Sequence, residues 1–230
     1  LDNITFRNLT FRANDGGAGT IIEANASDNL SFENVIFDGV KGAPISNQYS
    51  LIRYTDCYNL NFNNCQFNYG SNGIDANIWS TSQYITIKNS TFKDYRGIGV
   101  YAYTFLPEVK VDRPKSKDNR ILNGGPSIIN DGNTFSGSNY SPYGGVYIAG
   151  PAQITNNKFS GFTRNPDVSN YQGAIILEHS ETGTLSTIEN NTINNMNSVS
   201  GISIAANDVK IEHNQIGVLT SDDLADGVYL

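Results

Sequence analysis

An eight-residue beat recurs along this chain. Aligned, it reads ITFRNLTF ending at Phe11, LSFENVIF at Phe37, LNFNNCQF at Phe67, ITIKNSTF at Phe92, IINDGNTF at Phe135, AQITNNKF at Phe159, STIENNTI at Ile193 and VKIEHNQI at Ile216. The intervals are 26, 30, 25, 43, 24, 34 and 23 residues, mostly the length of one turn of a solenoid. Within each copy apolar and polar residues alternate, as a strand with one buried face requires. One such unit cannot bury its apolar face alone, so the copies must stack.

Three residues before the terminal Phe or Ile stands Asn in six of the eight copies: Asn8, Asn34, Asn64, Asn89, Asn156 and Asn190. Asn tolerates the left-handed backbone and bonds its neighbours through its amide. The pattern therefore predicts a structural ladder along the stack, with Gly132 and His213 on its two remaining rungs and the Phe and Ile residues forming a core column beside it. This accounts for much of a composition with 31 Asn and 22 Gly.

A second beat opens on Gly and continues as an alternation: GTIIE from Gly19, GIDAN from Gly73, GIGVY from Gly97, GVYIA from Gly145, GAIIL from Gly173, GISIA from Gly201 and GVYL from Gly227, with YSLIR from Tyr49 lacking the Gly. Each coil thus has at least two strands. The expected fold is all-β, a parallel β-helix of about eight coils spaced about 4.8 Å apart. Residues 1–230 read as one domain with a loop insertion at 103–127. The chain opens and closes within strand patterns and without capping segments, so the expectation is a piece of a longer secreted or cell-surface protein with further domains.

The repeat resembles the right-handed parallel β-helices of the pectin-lyase-like superfamily over nearly the whole chain. That resemblance supplies the handedness and implies carbohydrate chemistry. The net charge of −7 argues against a nucleic-acid partner. No apolar run approaches the roughly 18 residues needed for membrane insertion. Cys57 and Cys65 are expected to be free packing residues, since two thiols make no disulfide framework.

Function on a solenoid belongs on outward strand positions and overhanging loops. Counting from the Gly of the second beat, positions two and four should face outward: Ile21 and Glu23, Leu51 and Arg53, Asp75 and Asn77, Gly99 and Tyr101, Tyr147 and Ala149, Ile175 and Leu177, Ser203 and Ala205. Glu23, Arg53, Asp75, Asn77, Tyr101 and Tyr147 would then share one strip. Carboxylates and Arg hold sugar hydroxyls or transfer protons, and aromatic rings stack on sugar faces. The bland counterpart is a solvated sheet with salt bridges between coils.

The longest loop, 103–127, carries Lys110, Arg113, Lys115, Lys117 and Arg120, and a cationic loop over an acidic strip can grip a glycan. Loops 160–172 and 38–50 offer further walls. His179, beside Glu178, is an acid–base candidate.

NGIDANIWSTSQYITIKNSTF (72–92) is similar to a pectate-lyase stretch whose acids help bind calcium. Here Asn72 replaces the first Asp, the spacing is one residue shorter, and Asp75 alone keeps a role. Calcium at Asp75 stays open, and no other cofactor is implied. The vWiDH and R-x-P-x-x-R segments of that family are not reproduced. The N-T-D and G-H-G signatures of polygalacturonase-type hydrolases are also missing.

Taken with the Asn- and Thr-rich composition, which is similar to that of the disaggregatases that cut a surface glycan, the sequence points to cleavage of a polysaccharide. In elimination Arg53 or Tyr101 would be the base or acid; in hydrolysis Asp75 and Glu23 would be the carboxylate pair. Asn77, Tyr147, Arg113, Lys115 and His179 would bind substrate. The competing expectation is a non-catalytic adhesin or tail-fibre segment. A trimeric fibre should show an apolar stripe, for which Ile21, Leu51, Ile175 and Leu177 are the nearest material.

Overall fold

The structure, a computed structural model, describes residues 2–14, 19–76, 83–103, 128–137, 144–166, 172–179, 184–217, 219–220 and 226–230, without the side chains of Asn47, Gln83, Tyr103 and His179. Three eight-stranded parallel sheets form the faces of a β-helix. One coil runs through Tyr58–Asn63 in the first sheet, Gln66–Asn68 in the second and Ile74–Ala76 in the third. The sequence count of eight coils includes both end coils; six are covered by a neighbour on each side.

The opening beat is therefore not one strand but two, bent at its Asn. Asn8, Asn34, Asn64, Asn89, Asn156 and Asn190 all have φ between 51 and 57°, and Gly132 and His213 take the same turn at 66 and 52°. The ladder of side-chain bonds is shorter than the column. Asn34 Nδ2 donates to Asn8 Oδ1 at 3.2 Å, and Asn64 Nδ2 donates to Asn34 Oδ1. Asn89 instead reaches Asn63, and Asn156 reaches Asp131.

Past the open first coil, the residue after each bend is buried or half-buried, and in the later coils it is also Asn. Asn133, Asn157, Asn191 and Asn214 form a second ladder along the inside of the corner. The backbone N–H groups of Asn133, Asn157 and Asn191 each donate to the next Asn Oδ1 at 2.9–3.0 Å. Nδ2 of Asn133, Asn157, Asn191 and Asn214 donates to the carbonyls of Ile87, Asn130, Ile154 and Ile188. Backbone groups at the corner are thus satisfied inside the core by the second ladder.

The expected Phe column is present. Rings from Phe11 through Phe37, Phe67, Phe92 and Phe135 to Phe159 stack with centroids 4.4–5.8 Å apart. This column explains the Gly of the second beat. A Cβ on Gly73, Gly99 or Gly145 would fall 2.5–2.6 Å from the Cδ1 of Phe92, Phe135 or Phe159 in the next coil. Glycine stands there because a ring packs flat on its backbone. Cys57 and Cys65 are free and buried, and burial raises the pKa of both thiols.

Candidate functional site on the third sheet

The first two sheets carry charged outward columns with ion pairs between coils, Arg7 to Glu33 and Arg12 to Asp38, beside columns with many short polar residues. In the first they run Thr5, Ser31, Asn61, Thr86, and in the second Thr91, Thr134, Lys158, Thr192. The third sheet differs. Its register aligns Glu23, Arg53, Asp75, Tyr101, Tyr147, Ile176 and Ser203 in one column. Five of the sequence-selected residues are therefore brought together as expected. Asn77, Arg113 and Lys115 lie outside the described residues, as does the side chain of His179, so their expected roles have no geometry.

The expected register fails in one coil. Gly173 pairs with Gly144, so Ala174 takes the place of Gly145, Tyr147 pairs with Ile176 and Ala149 with Glu178. Ile175 and Leu177, expected outward, are fully buried. Leu51 is buried as well, and Ile21 packs against the core. The apolar stripe that a fibre contact would have used is core. Glu178 replaces Leu177 on the outer face. The two successive isoleucines of GAIIL hid this shift, since either alternation fits them.

Asp75 is not an open surface carboxylate: it is 3% exposed. Ser50 Oγ donates to its Oδ2 at 2.6 Å and Asn72 Nδ2 donates to the same oxygen at 3.2 Å. Oδ1 receives no hydrogen bond among the described residues. Burial raises the Asp75 pKa, against the lowering effects of Ser50, Asn72 and the charge of Arg53. Beneath it lies Tyr54, fully buried, whose hydroxyl has no hydrogen-bond partner among the described residues. Burial first, and the charge of Asp75 second, push the Tyr54 phenol well above its usual range.

Sequence reasoning did not identify Ser50 and Asn72 as partners of Asp75. Ser50 ends the 38–50 loop, which is pinned to the next coils. Arg96 Nη1 donates to the carbonyls of Gly42 and Ala43 at 3.4 Å, and the Ser46 N–H donates to Ser71 Oγ at 3.0 Å. Asn72 also accepts from the Ile98 N–H at 2.9 Å, so both supports of Asp75 are themselves held. The signal in the sequence was indirect: Asn72 is the position where the pectate-lyase pattern has an acid. With an amide N–H rather than an oxygen turned to Asp75, and Arg53 alongside, these residues do not fit a calcium site of that kind.

Tyr101 and Tyr147 stack on one another, with centroids 4.9 Å apart and planes at 26°. The faces they share are closed to any ligand. Tyr147 Oη donates to Glu178 Oε2 at 2.5 Å. Away from this face, Glu189, Glu212 and His213 form the one group of three metal-capable side chains among the described residues, on the first sheet, where Lys210 already pairs with Glu212 at 2.8 Å.

No family model matches the chain, and no curated protein matches it in sequence. Among solved structures it is similar to the surface protein and adhesin PfbA of Streptococcus pneumoniae, with a TM-score of 0.54 and 13% identity over 99% of this chain and 67% of that one. A second structure of PfbA gives 0.50 over 98% and 63%. DFA-IIIase from Arthrobacter chlorophenolicus A6 gives 0.48 and 13% identity over 98% and 57%. The chain spans about two thirds of the length of these proteins. Together with the three sheets, the likeness to PfbA gives the class of the fold, a right-handed parallel β-helix. At this identity the likeness extends to the fold and no further. Among the described residues, no helix is long and apolar enough to cross a membrane.

Proposed function

We propose that the outer face of the third sheet binds a polysaccharide outside the cell or at its surface and cleaves a glycosidic bond by hydrolysis. One observation carries this reading: Asp75 is a buried carboxyl with a raised pKa, held through Oδ2 with Oδ1 spare, in the same column as Glu23, Arg53 and two tyrosines. A carboxyl whose pKa burial raises holds its proton to a higher pH than a solvated one, which suits it to act as a general acid.

Asp75 gives its proton to the glycosidic oxygen as the bond to the anomeric carbon breaks. Water attacks that carbon, and Glu23 takes the proton the water loses. Glu23 lies two register steps from Asp75, about 9.6 Å at the usual strand spacing, the far end of the separation that inverting carboxylate pairs use. Arg53 sits between them in register and donates to sugar hydroxyls.

The test is incubation with a panel of polysaccharides, following new reducing ends and the absorbance of unsaturated sugars together. Hydrolysis predicts reducing ends without absorbance, and a loss of about 10²-fold or more in Asp75→Asn. Absorbance alongside reducing ends would replace hydrolysis with elimination. Silence on every glycan would sink the enzymatic reading. The adhesive reading has its own support in the firm anchoring of Asp75, which a purely structural carboxyl would also show, and an adhesin does share the fold.

A further inference from the structure

Glu178 and Tyr147 stand apart from the acid just described and have no part in that step. Glu178 lies on the outer face of its strand, with Ala149 on one side in register and Ala205 on the other. Two methyl side chains leave the flanks of the carboxylate clear. Its Oε2 accepts from the Tyr147 hydroxyl, and Oε1 receives no hydrogen bond among the described residues. Tyr147 is in turn fixed by its stack on Tyr101, one strand nearer Asp75.

We infer that the Tyr147–Glu178 pair is a subsite for a neutral sugar residue of the polysaccharide, held through the ring hydroxyls. This rests on the glycan-binding reading of the third sheet and assigns its substrate class. With the phenol proton committed to Oε2 of Glu178, the pair offers an acceptor in the spare carboxylate oxygen Oε1. Acceptors call for donors, and the hydroxyls of a neutral sugar are donors. Carboxylate, sulfate and phosphate groups bring acceptors and negative charge, which this pair repels. The nearest described cation in the column, Arg53, is three register steps from Tyr147, about 14 Å away. It lies between the carboxyls of Glu23 and Asp75 and does not neutralise Glu178.

The experiment is affinity electrophoresis of the 230-residue chain through native gels containing dextran, mannan or levan, and in parallel the anionic polygalacturonate or dextran sulfate. At least one neutral glycan should retard the protein, and the charged ones should not. Glu178→Gln and Tyr147→Phe should each weaken that retardation about tenfold, the loss of one charge-assisted hydrogen bond. Both changes keep size and shape, and thermal melting of each variant checks that the fold is retained.

Retardation by the charged glycans alone would overturn the inference, as would neutral-glycan retardation indifferent to both substitutions. Either result leaves the release of reducing ends as a separate measure of the hydrolytic reading. Conversely, intact Glu178-dependent retardation without cleavage would remove hydrolysis and keep the subsite. No retardation by any glycan overturns the subsite outright.

Discussion

At the scale of single residues, the chain is governed by which side chain tolerates a left-handed backbone. Asn34, at φ 54°, bends its coil and bonds the rungs on either side. Asn34→Ala should cost about 1–2 kcal/mol for the conformation alone, with the lost ladder bonds added to it. Ala26 sits at φ 46° with no such compensation, so Ala26→Gly should stabilise by up to about 1 kcal/mol. Urea unfolding of both variants checks the opposite signs. The same rule explains sequence triplets that look like glycosylation acceptors. In Asn8-Leu-Thr10, Asn89-Ser-Thr91 and Asn190-Asn-Thr192, the Asn makes the bend and the Thr two residues later is an outward position of the second sheet. Asp75 obeys a different rule, that of burial. Its native pKa is raised, so the folded state holds the proton more tightly than the unfolded chain does. The stability it contributes is present below the unfolded pKa and is lost as pH rises through the folded one. Asp75→Asn keeps an oxygen for Ser50 and Asn72 and removes the buried charge. It should melt above the wild type at pH 7, and the gap should close as pH falls below the ordinary carboxylate range. A lower melting temperature at pH 7 would contradict the burial argument.

At the scale of elements, the strands of the second and third sheets depend on each other through one contact, Phe on Gly. A methyl at position 99 would meet Phe135 Cδ1 at 2.6 Å and the Gly145 carbonyl at 2.8 Å. Gly99→Ala should therefore cost about 1–3 kcal/mol as an overpacked core. Adding Phe135→Leu should return part of it, leaving the carbonyl contact, and chemical denaturation of the single and double variants measures the coupling. Position 174 shows the same relation in the native chain: it carries Ala, and the column one coil on holds Ile193 in place of Phe. Elements of this kind were legible in the sequence because both periods, two along a strand and about 25 between coils, are written in side-chain chemistry. The division of the opening beat into two strands was not, although Asn8 and its equivalents marked the bend. An apolar–polar alternation continues through a left-handed residue unchanged, so it cannot announce that the strand has turned a corner. The third sheet shows the complementary limit. Its strip was readable where polar residues fixed the parity, as at Asp75 and Tyr147, and misread at Ile175 and Leu177, where four apolar residues in a row left the parity open.

At the scale of the whole molecule, every strand pairs only with strands of the coils before and after it. Contacts such as Arg96 to Gly42 that reach two coils away are few, so stability is mainly a chain of neighbouring terms rather than one core. That locality also limits what a sequence can reveal of the site. The support of Asp75 comes from Ser50, 25 residues earlier, across a loop whose length no periodicity dictates. The partner of Tyr147 is 31 residues later. Locality makes a prediction about how the molecule opens. Asn157 bridges three coils through the Asn130 carbonyl, the Asn133 N–H and the Asn191 amide. Asn157→Ala leaves a buried donor and a buried acceptor unpaired, at a cost of about 2–5 kcal/mol. In a globule with one cooperative core, every slow amide would lose protection by the same amount. In this β-helix the loss should centre on the neighbouring coils, 128–136 and 186–194, and fade toward Tyr58–Asn63, with the two-residue strands Gln215–Ile216 and Val228–Tyr229 exchanging fastest in both proteins. Native-state hydrogen exchange on wild type and Asn157→Ala distinguishes the two. A uniform loss would mean that the coils unfold as one unit and that nearest-neighbour stacking does not describe their energetics.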